Sequence, residues 1–168
     1  RALDVLALRV GLQLADALDA LVDRSLEGAV QLKWPNDLWL ASGKLGGILI
    51  EARWRDGQPE WVAIGVGINR LPVDDRHAQS MALQGALVRA AHVRLDVSRD
   101  ALLMAVVPAL RRAAACTGPL SAEECAAWAS RDRMVGRVVR SPSPGVVEGI
   151  TADGGGVIRG TDGVAPRL

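Results

Sequence analysis

Three short motifs contain the residues of this chain that are best suited to chemistry. They are residues 33–37 (Lys-Trp-Pro-Asn-Asp), 44–49 (Lys-Leu-Gly-Gly-Ile-Leu) and 65–69 (Gly-Val-Gly-Ile-Asn). Paired glycines inside a strand-like run lower strand stability and usually mark the close approach of a ligand or another backbone. Two lysines beside such glycines can hold a carboxylate and a phosphate and stabilise the negative charge that builds up between them. The motifs therefore indicate a site for a small anionic ligand.

Each polar residue of the first two motifs has a possible chemical use. Lys44 stands where a predicted hairpin loop meets its second strand, and with Lys33 it can face an anion. Asp37 could hold a lysine or Mg²⁺. Asn36 can cap its turn while it offers an amide to a ligand. Without these neighbours, Lys44 would be interpreted as a solvated loop lysine.

Other well-known site motifs do not fit this sequence. Arg70 occupies the third glycine position of a dinucleotide fingerprint, and no helical pattern follows it. A P-loop is excluded because Leu38 stands where its first glycine belongs and Leu45 replaces its Ser or Thr. A serine-hydrolase elbow is absent, and neither His77 nor His92 has a clear partner.

The strands that must position these motifs are predicted from short apolar runs and turn residues. Strands are expected over residues 30–33, 38–40, 45–52 and 61–69. Pro35 ends the first because it lacks an amide donor. The second and third form a hairpin whose loop includes Gly43, which is free to take a positive φ. The fourth is expected to be buried, and the order of strands and turns predicts a mainly antiparallel sheet.

Helices are predicted from apolar periodicity and capping residues. The expected helices cover residues 3–22, 80–91, 99–115 and 121–128. Ser98 is an N-cap for the third, in which Pro108 introduces a possible kink. Ser121 and Glu124 form a capping box for the fourth. Helices beside a mainly antiparallel sheet place the chain in the α+β class.

The composition changes at Asp132, where Gly, Val, Pro and Ser replace the helix formers. We therefore expect two domains, residues 1–131 and residues 132–168. The second contains short strand-like runs at 135–139, 145–150 and 156–159, divided by glycine turns. A segment of that size forms at best a small β-barrel that leans on its neighbour.

Overall composition limits the classes of partner. The net charge is +1 and hydrophobic residues make up 49% of the chain, so a packed core is expected and nucleic acid or an anionic membrane is not favoured. Charged residues such as Asp4 and Arg9 interrupt the N-terminal apolar stretch, which excludes a signal peptide there. Cys116 and Cys125 are interpreted as buried or idle thiols. These features predict a cytoplasmic protein without a membrane span.

The three motifs, in their order and spacing, resemble those of the biotin protein ligases, the biotin–[acetyl-CoA carboxylase] ligases. In the second motif the match extends beyond Lys-x-Gly-Gly-Ile-Leu to Glu51. Residues 7–15 also resemble the helix before that family's central hairpin. Trp128 and residues 132–139 resemble the entry to its SH3-like C-terminal domain. The resemblance implies a class II synthetase-like catalytic fold, with a mixed, mainly antiparallel sheet flanked by helices, plus a small SH3-like barrel.

The same resemblance implies a two-step reaction that uses ATP, biotin and Mg²⁺. Biotin is activated as biotinyl-5′-AMP and then transferred to a lysine of a biotin carboxyl carrier protein. Lys44 is implied to contact the biotin carboxylate and the adenylate phosphate as the catalytic lysine. The remaining implied biotin- and adenylate-binding residues are Lys33, Asn36, Asp37, Gly46, Gly47, Ile48, Gly67 and Asn69. Asp37 is also the implied support for Mg²⁺.

Some family features are missing from the sequence. It contains no Gly-Arg-Gly-Arg string of the loop that closes over the adenylate, and no closing Gly-Glu strand at its end. We therefore expect an incomplete catalytic domain without a helix-turn-helix domain, hence no DNA binding, and a possible homodimer. Two alternatives remain open. One is a lipoyl or octanoyl transferase of the same superfamily, and the other is a non-catalytic fragment that binds a ligand or the carrier protein.

Overall fold

The computed structural model describes residues 2–72, 89–140 and 144–160 of the 168-residue chain. The helices are α1 (Ala2–Leu18), α2 (Arg24–Glu27), α3 (Arg99–Ala114) and α4 (Ala122–Arg131). The strands are β1 (Gln31–Lys33), β2 (Asp37–Trp39), β3 (Lys44–Arg55), β4 (Gln58–Ile68), β5 (Val138–Val139), β6 (Gly145–Ile150) and β7 (Gly156–Arg159).

The main sheet is antiparallel throughout, with the strand order β1-β2-β3-β4. This confirms the predicted hairpin of β2 and β3 and the α+β class. The hairpin loop is tight, because Leu40 and Gly43 exchange backbone hydrogen bonds of 2.8 and 3.2 Å. Gly43 does not adopt the positive φ predicted for it. Glycine is required for another reason, since a Cβ there would collide with the carbonyl of Arg89.

Helix α1 packs its apolar face on the sheet and along α3, and this layer forms the core. Gly11 lies at the closest approach, where a Cβ would already touch Leu32 and Trp128 at 3.4 and 3.5 Å. The helix ends at Leu18 rather than at the predicted residue 22. Asp19 accounts for the early end, because its carboxylate accepts the Val30 amide at 2.8 Å as the chain turns back toward β1. The one-turn helix α2 was not predicted.

The prediction of a buried strand at residues 61–69 is wrong, because every one of these residues is half-buried or exposed. Trp61 is 49% exposed and Val62 is 40% exposed. Strands β3 and β4 have 12 and 11 residues, whereas β1 and β2 have three each. The long hairpin therefore extends past the part of the sheet that α1 covers, and only its inner residues pack on the core.

The two predicted caps are confirmed. The Ser98 hydroxyl accepts the Ala101 amide at the start of α3, which contains Pro108. Ser121 and Glu124 form the capping box of α4, which continues to Arg131. The prediction of a helix over 80–91 falls mostly outside the described residues. Its last residues, 89–91, are not helical, because Ala90 forms a parallel bridge with Lys44.

A second, three-stranded antiparallel sheet contains β5, β6 and β7. It contacts the first motif directly, because the Trp34 indole Nε1 donates to the Gly154 carbonyl at 3.0 Å. The Trp34 ring also lies 3.4 Å from the position of a Cβ on Gly156. The division into domains at residue 131 remains a prediction. Among the described residues, no helix is long and apolar enough to cross a membrane.

Candidate functional site

The centre of the site is a carboxylate between two ammonium groups. Lys44 Nζ lies 2.5 Å from Asp37 Oδ1, and Lys33 Nζ lies 3.9 Å from Asp37 Oδ2. The side chains of Lys44 and Asp37 are 29% and 18% exposed, so the pair is only partly hydrated. Lys33 and Lys44 are the only lysines in the sequence, whose other cationic side chains are arginines and two histidines. Both lysines therefore stand at one place in the fold.

Strand pairing explains how Asp37 and Lys44 meet. Asp37 on β2 is directly opposite Gly47 on β3. A Cβ on Gly47 would lie 3.5 Å from Asp37 Oδ1 and 3.7 Å from Lys44 Nζ. The missing side chain thus leaves the ion pair uncovered on this face of the sheet. Gly67, opposite Gly47 on β4, has no atom within 4 Å of its Cβ position, so this part of the floor is open.

Gly46 has a different reason to be glycine. A Cβ there would run into the carbonyl oxygen of Gly67 on the neighbouring strand. The predicted close approach of another backbone is therefore confirmed at Gly46. At Gly47 a Cβ would make only ordinary contacts with the Lys44–Asp37 ion pair.

The backbone of Lys44 is held on both sides by residues 89–91. Its amide donates to the Arg89 carbonyl, and its carbonyl accepts the Ala91 amide, each at 2.8 Å. Asn69 completes this clamp, because its side-chain amide donates to the carbonyls of Lys44 at 3.1 Å and Ala91 at 3.0 Å. Asn69 thus joins three segments of chain at the base of the Lys44 side chain.

Asn36 and Ile48 bind each other below the site. The Asn36 side-chain amide donates to the Ile48 carbonyl at 2.7 Å, and the Asn36 carbonyl accepts the Ile48 amide at 2.9 Å. The Ile48 side chain is 3% exposed and belongs to the core. Asn36 therefore uses its amide to lock the turn, and it engages both the amide and the carbonyl of the Ile48 backbone.

A cavity of about 460 Å³ opens over these residues. Seven of the predicted site residues line it: Lys33, Asp37, Lys44, Gly46, Gly47, Gly67 and Asn69. Asn36 and Ile48 are not among its lining residues. A larger, mostly apolar groove of about 630 Å³ lies between α1, the outer hairpin and residues 114–119. Arg9, a buried cation that lines this groove, is already paired with Glu124, so it is not available to bind an anionic ligand there.

Trp39 and Arg89 also line the cavity, and the sequence analysis missed both. Lys33 Nζ lies 5.5 Å from the centre of the Trp39 ring. Alternation in the short strand 37–39 places Trp39 on the same face as Asp37, and this signal could have identified it. Arg89 lies near the end of the helix predicted over 80–91 and outside the three motifs, so no comparable sequence signal was present.

The lining is electropositive. Lys33, Lys44 and Arg89 face one carboxylate, that of Asp37, among the charged lining residues. An anion in the cavity would relieve the repulsion between these like charges, which the low dielectric of a partly closed site strengthens. The described lining thus favours binding of an anion.

Magnesium was the other predicted use of Asp37. No group of three or more His, Cys, Asp or Glu side chains in the described part of the chain could hold a metal ion. Asp37 itself is already engaged by Lys44 at 2.5 Å. Mg²⁺ prefers six oxygen ligands in octahedral geometry. The described residues therefore do not fit a resident magnesium site.

Comparison with known proteins gives one family. A sequence model described as the biotin/lipoate A/B protein ligase family matches residues 1–69. The bifunctional ligase/repressor BirA of Escherichia coli is 36% identical over 110 residues, which are 64% of this chain and 32% of that protein. A biotin–[acetyl-CoA-carboxylase] ligase of Paracoccus denitrificans is 28% identical over 138 residues, 79% of this chain and 58% of that protein. The chain thus spans about a third to somewhat over half of these relatives.

Solved structures agree on the fold. The biotin protein ligase of Aquifex aeolicus in complex with biotin and ATP superposes with a TM-score of 0.70 at 21% identity, over 99% of this chain and 68% of that one. A biotin protein ligase-like protein of unknown function from Silicibacter gives a TM-score of 0.74 at 18% identity, over 99% of this chain and 71% of that one. At these identities the likeness establishes the fold.

Proposed function

We propose that the chain is a member of the biotin/lipoate A/B protein ligase family, whose sequence model matches residues 1–69, and that it takes part in ATP-dependent biotinylation of a biotin carboxyl carrier protein. The observation that carries the proposal is the position of the Lys44 ammonium. It is held beside Asp37, above a floor of strand glycines, at the wall of an electropositive cavity. This arrangement suits a ligand with a carboxylate next to a phosphate.

In the first step, a carboxylate oxygen of biotin attacks the α-phosphorus of ATP. A new oxygen–phosphorus bond forms, and the bond to the bridging oxygen breaks. Pyrophosphate leaves with the electron pair, and biotinyl-5′-AMP remains. Lys44 would neutralise the charge on the attacking carboxylate and on the α-phosphate oxygens as they approach each other. Asp37 would keep the Lys44 ammonium at this position before the ligand arrives.

In the second step, the amine of the carrier lysine attacks the carbonyl carbon of the mixed anhydride. An amide bond forms, AMP leaves with the electron pair of the carbon–oxygen bond, and the amine loses its proton to solvent. Lys44 would stabilise the oxyanion and the departing phosphate. Magnesium, if it takes part, would arrive with the nucleotide phosphates and is proposed from the resemblance alone.

An apolar surface beside Lys44 supports biotin as the acid. Leu49 lies two residues beyond Gly47 on the same face of β3 and is 61% exposed. It pairs with Gly65, so that its side chain stands over an otherwise bare part of β4. A compact ring system could cover this surface while its carboxylate reaches Lys44.

The alternatives use the same site. A lipoyl or octanoyl transferase would place a flexible acyl chain on the Leu49 surface, and the family description includes lipoate enzymes. The similarity to a biotin–[acetyl-CoA-carboxylase] ligase and to a biotin protein ligase that binds biotin and ATP favours biotin. The third hypothesis is a non-catalytic fragment, because the chain spans only part of the length of its relatives.

Transfer of radiolabelled biotin to a carrier domain tests the proposal. With ATP present, label should appear on the carrier and should be lost with Lys44→Ala. Arg159→Ala, which breaks only an exposed ion pair with Glu148, is the control. Transfer of label from lipoate or octanoate instead of biotin would favour a lipoyl or octanoyl transferase. If calorimetry shows binding of the carrier domain but no binding of biotin or ATP, the chain is a non-catalytic fragment and the proposal is wrong.

A further inference from the structure

Arg133, which follows α4, reaches the strands of the site. Its guanidinium Cζ lies 4.6 Å from the centre of the Trp39 ring, and Trp39 lines the cavity. Its backbone amide donates to the Leu32 carbonyl at 2.8 Å, which fixes this segment beside β1. Arg133 was not expected from any of the three motifs.

The Arg133 side chain keeps donors for a ligand. Its Nη1 donates to the Gln31 amide oxygen at 2.9 Å. Among the described residues, the partners of its guanidinium are the Gln31 amide oxygen and the Trp39 ring, and the neighbouring Asp132 carboxylate accepts the Met134 amide at 2.7 Å. Because guanidinium has five N–H donors in a planar fork, it is well suited to phosphate oxygens.

Two cations contact the same indole ring. Lys33 Nζ lies 5.5 Å and Arg133 Cζ lies 4.6 Å from the Trp39 ring centre. Contact with the ring stabilises each cation. Lys33 is only loosely paired with Asp37, at 3.9 Å, because the shorter contact of Asp37 goes to Lys44. Lys33 and Arg133 therefore offer cationic groups, in addition to Lys44, for the phosphate oxygens of a nucleotide.

We infer that Arg133 and Lys33, resting on Trp39, bind the β- and γ-phosphates of the nucleotide, while Lys44 serves the carboxylate and the α-phosphate. The inference rests on the proposed function and adds a residue from the segment after α4 to the site. The same two cations would hold pyrophosphate as it leaves. The segment that leads to the second sheet would thereby act in nucleotide binding.

Calorimetric titration of the whole chain with inorganic pyrophosphate tests this inference. Arg133→Gln should weaken pyrophosphate binding about tenfold, or about 1.4 kcal/mol. Arg133→Lys should recover part of the loss, because it keeps the charge without the fork. Arg159→Gln removes the same charge from an exposed pair on β7 and should leave the affinity unchanged. Thermal unfolding of Arg133→Gln controls for misfolding.

Each outcome decides the inference. Binding by Arg133→Gln as tight as that of the unaltered chain would overturn it, and so would failure of the unaltered chain to bind pyrophosphate. A parallel titration with biotin separates this result from the proposed function. If biotin binds and pyrophosphate does not, only the inference fails. If neither biotin nor ATP binds, the proposed function fails as well.

Discussion

The Lys44 ammonium and the Asp37 carboxylate, 2.5 Å apart, come from neighbouring antiparallel strands and meet over a glycine. Neither residue is held by a helix terminus or by a long loop. Their separation is set by the register in which Asp37 faces Gly47, with the bulge after Leu38 bringing Trp39 opposite Lys44. The sheet therefore presents the lysine in one position before any ligand binds.

Asp37→Asn tests the role of this pair. The amide cannot hold an ammonium group as a carboxylate does, so biotinyl-adenylate formation should fall about tenfold through loss of preorganisation. Unfolding free energy should change by less than about 1 kcal/mol, because the pair is partly exposed. The measurements are biotin-dependent pyrophosphate exchange and urea denaturation. An unchanged rate of pyrophosphate exchange in a folded variant would show that Asp37 does not position Lys44 for the reaction.

Gly46 on β3 and Gly67 on the neighbouring β4 should respond differently to alanine. Gly46→Ala should lower the unfolding free energy by about 1–3 kcal/mol, because its Cβ meets the Gly67 carbonyl. Gly67→Ala should leave stability nearly unchanged, since no atom lies within 4 Å of its Cβ position. It should instead weaken ligand binding, because the methyl group narrows the cavity floor. Equal destabilisation of both variants, measured by denaturant titration, would contradict this assignment.

The Arg9–Glu124 pair should make stability depend on pH. The hydrogen bond from Arg9 lowers the pKa of Glu124 below its usual 4.5, and Glu124 also raises the pKa of Arg9. A carboxylate whose folded-state pKa is depressed stabilises the fold above its unfolded pKa. That stability is lost as the pH falls through the folded-state pKa.

Glu124→Gln should therefore flatten the acid limb of the stability curve below about pH 4.5. At pH 7 it should cost about 3 kcal/mol, because Arg9 stays 4% exposed without its counter-charge. Thermal unfolding between pH 3 and 7 measures both effects. Glu123→Gln, an exposed neighbour in the first turn of α4, is the matched control. The same acid limb in wild type and Glu124→Gln would contradict the pKa argument.

Local signals in the sequence predicted much of the fold. The caps at Ser98 and Ser121 are short-range hydrogen bonds, and the hairpin of β2 and β3 follows from a tight turn, so neighbouring residues suffice to predict them. The exposure of Trp61 was missed because it depends on how far α1 extends over the sheet. Local sequence contains no such information.

The candidate site likewise contains residues that the sequence motifs predicted and residues that they did not. Lys33, Asp37 and Lys44 stand in motifs whose residue types and spacing already suggested their proximity, and the structure brings them together. Asn36 and Asn69 were expected near the ligand, yet their amides bond to backbone carbonyls. Arg89 lines the cavity and Arg133 contacts the Trp39 ring by tertiary packing from distant segments, which no motif in the sequence reveals.

The most direct test of the account uses the fact that Lys33 and Lys44 are the only lysines. In protein labelled with ¹³C at the lysine ε-carbon, Lys33→Arg leaves a single lysine signal, that of Lys44. Titration with biotinyl-5′-AMP should shift this signal, because the ammonium binds the carboxyl and phosphate oxygens. If calorimetry shows the adenylate binding while the Lys44 signal stays in place, or if the adenylate does not bind at all, the central claim is wrong.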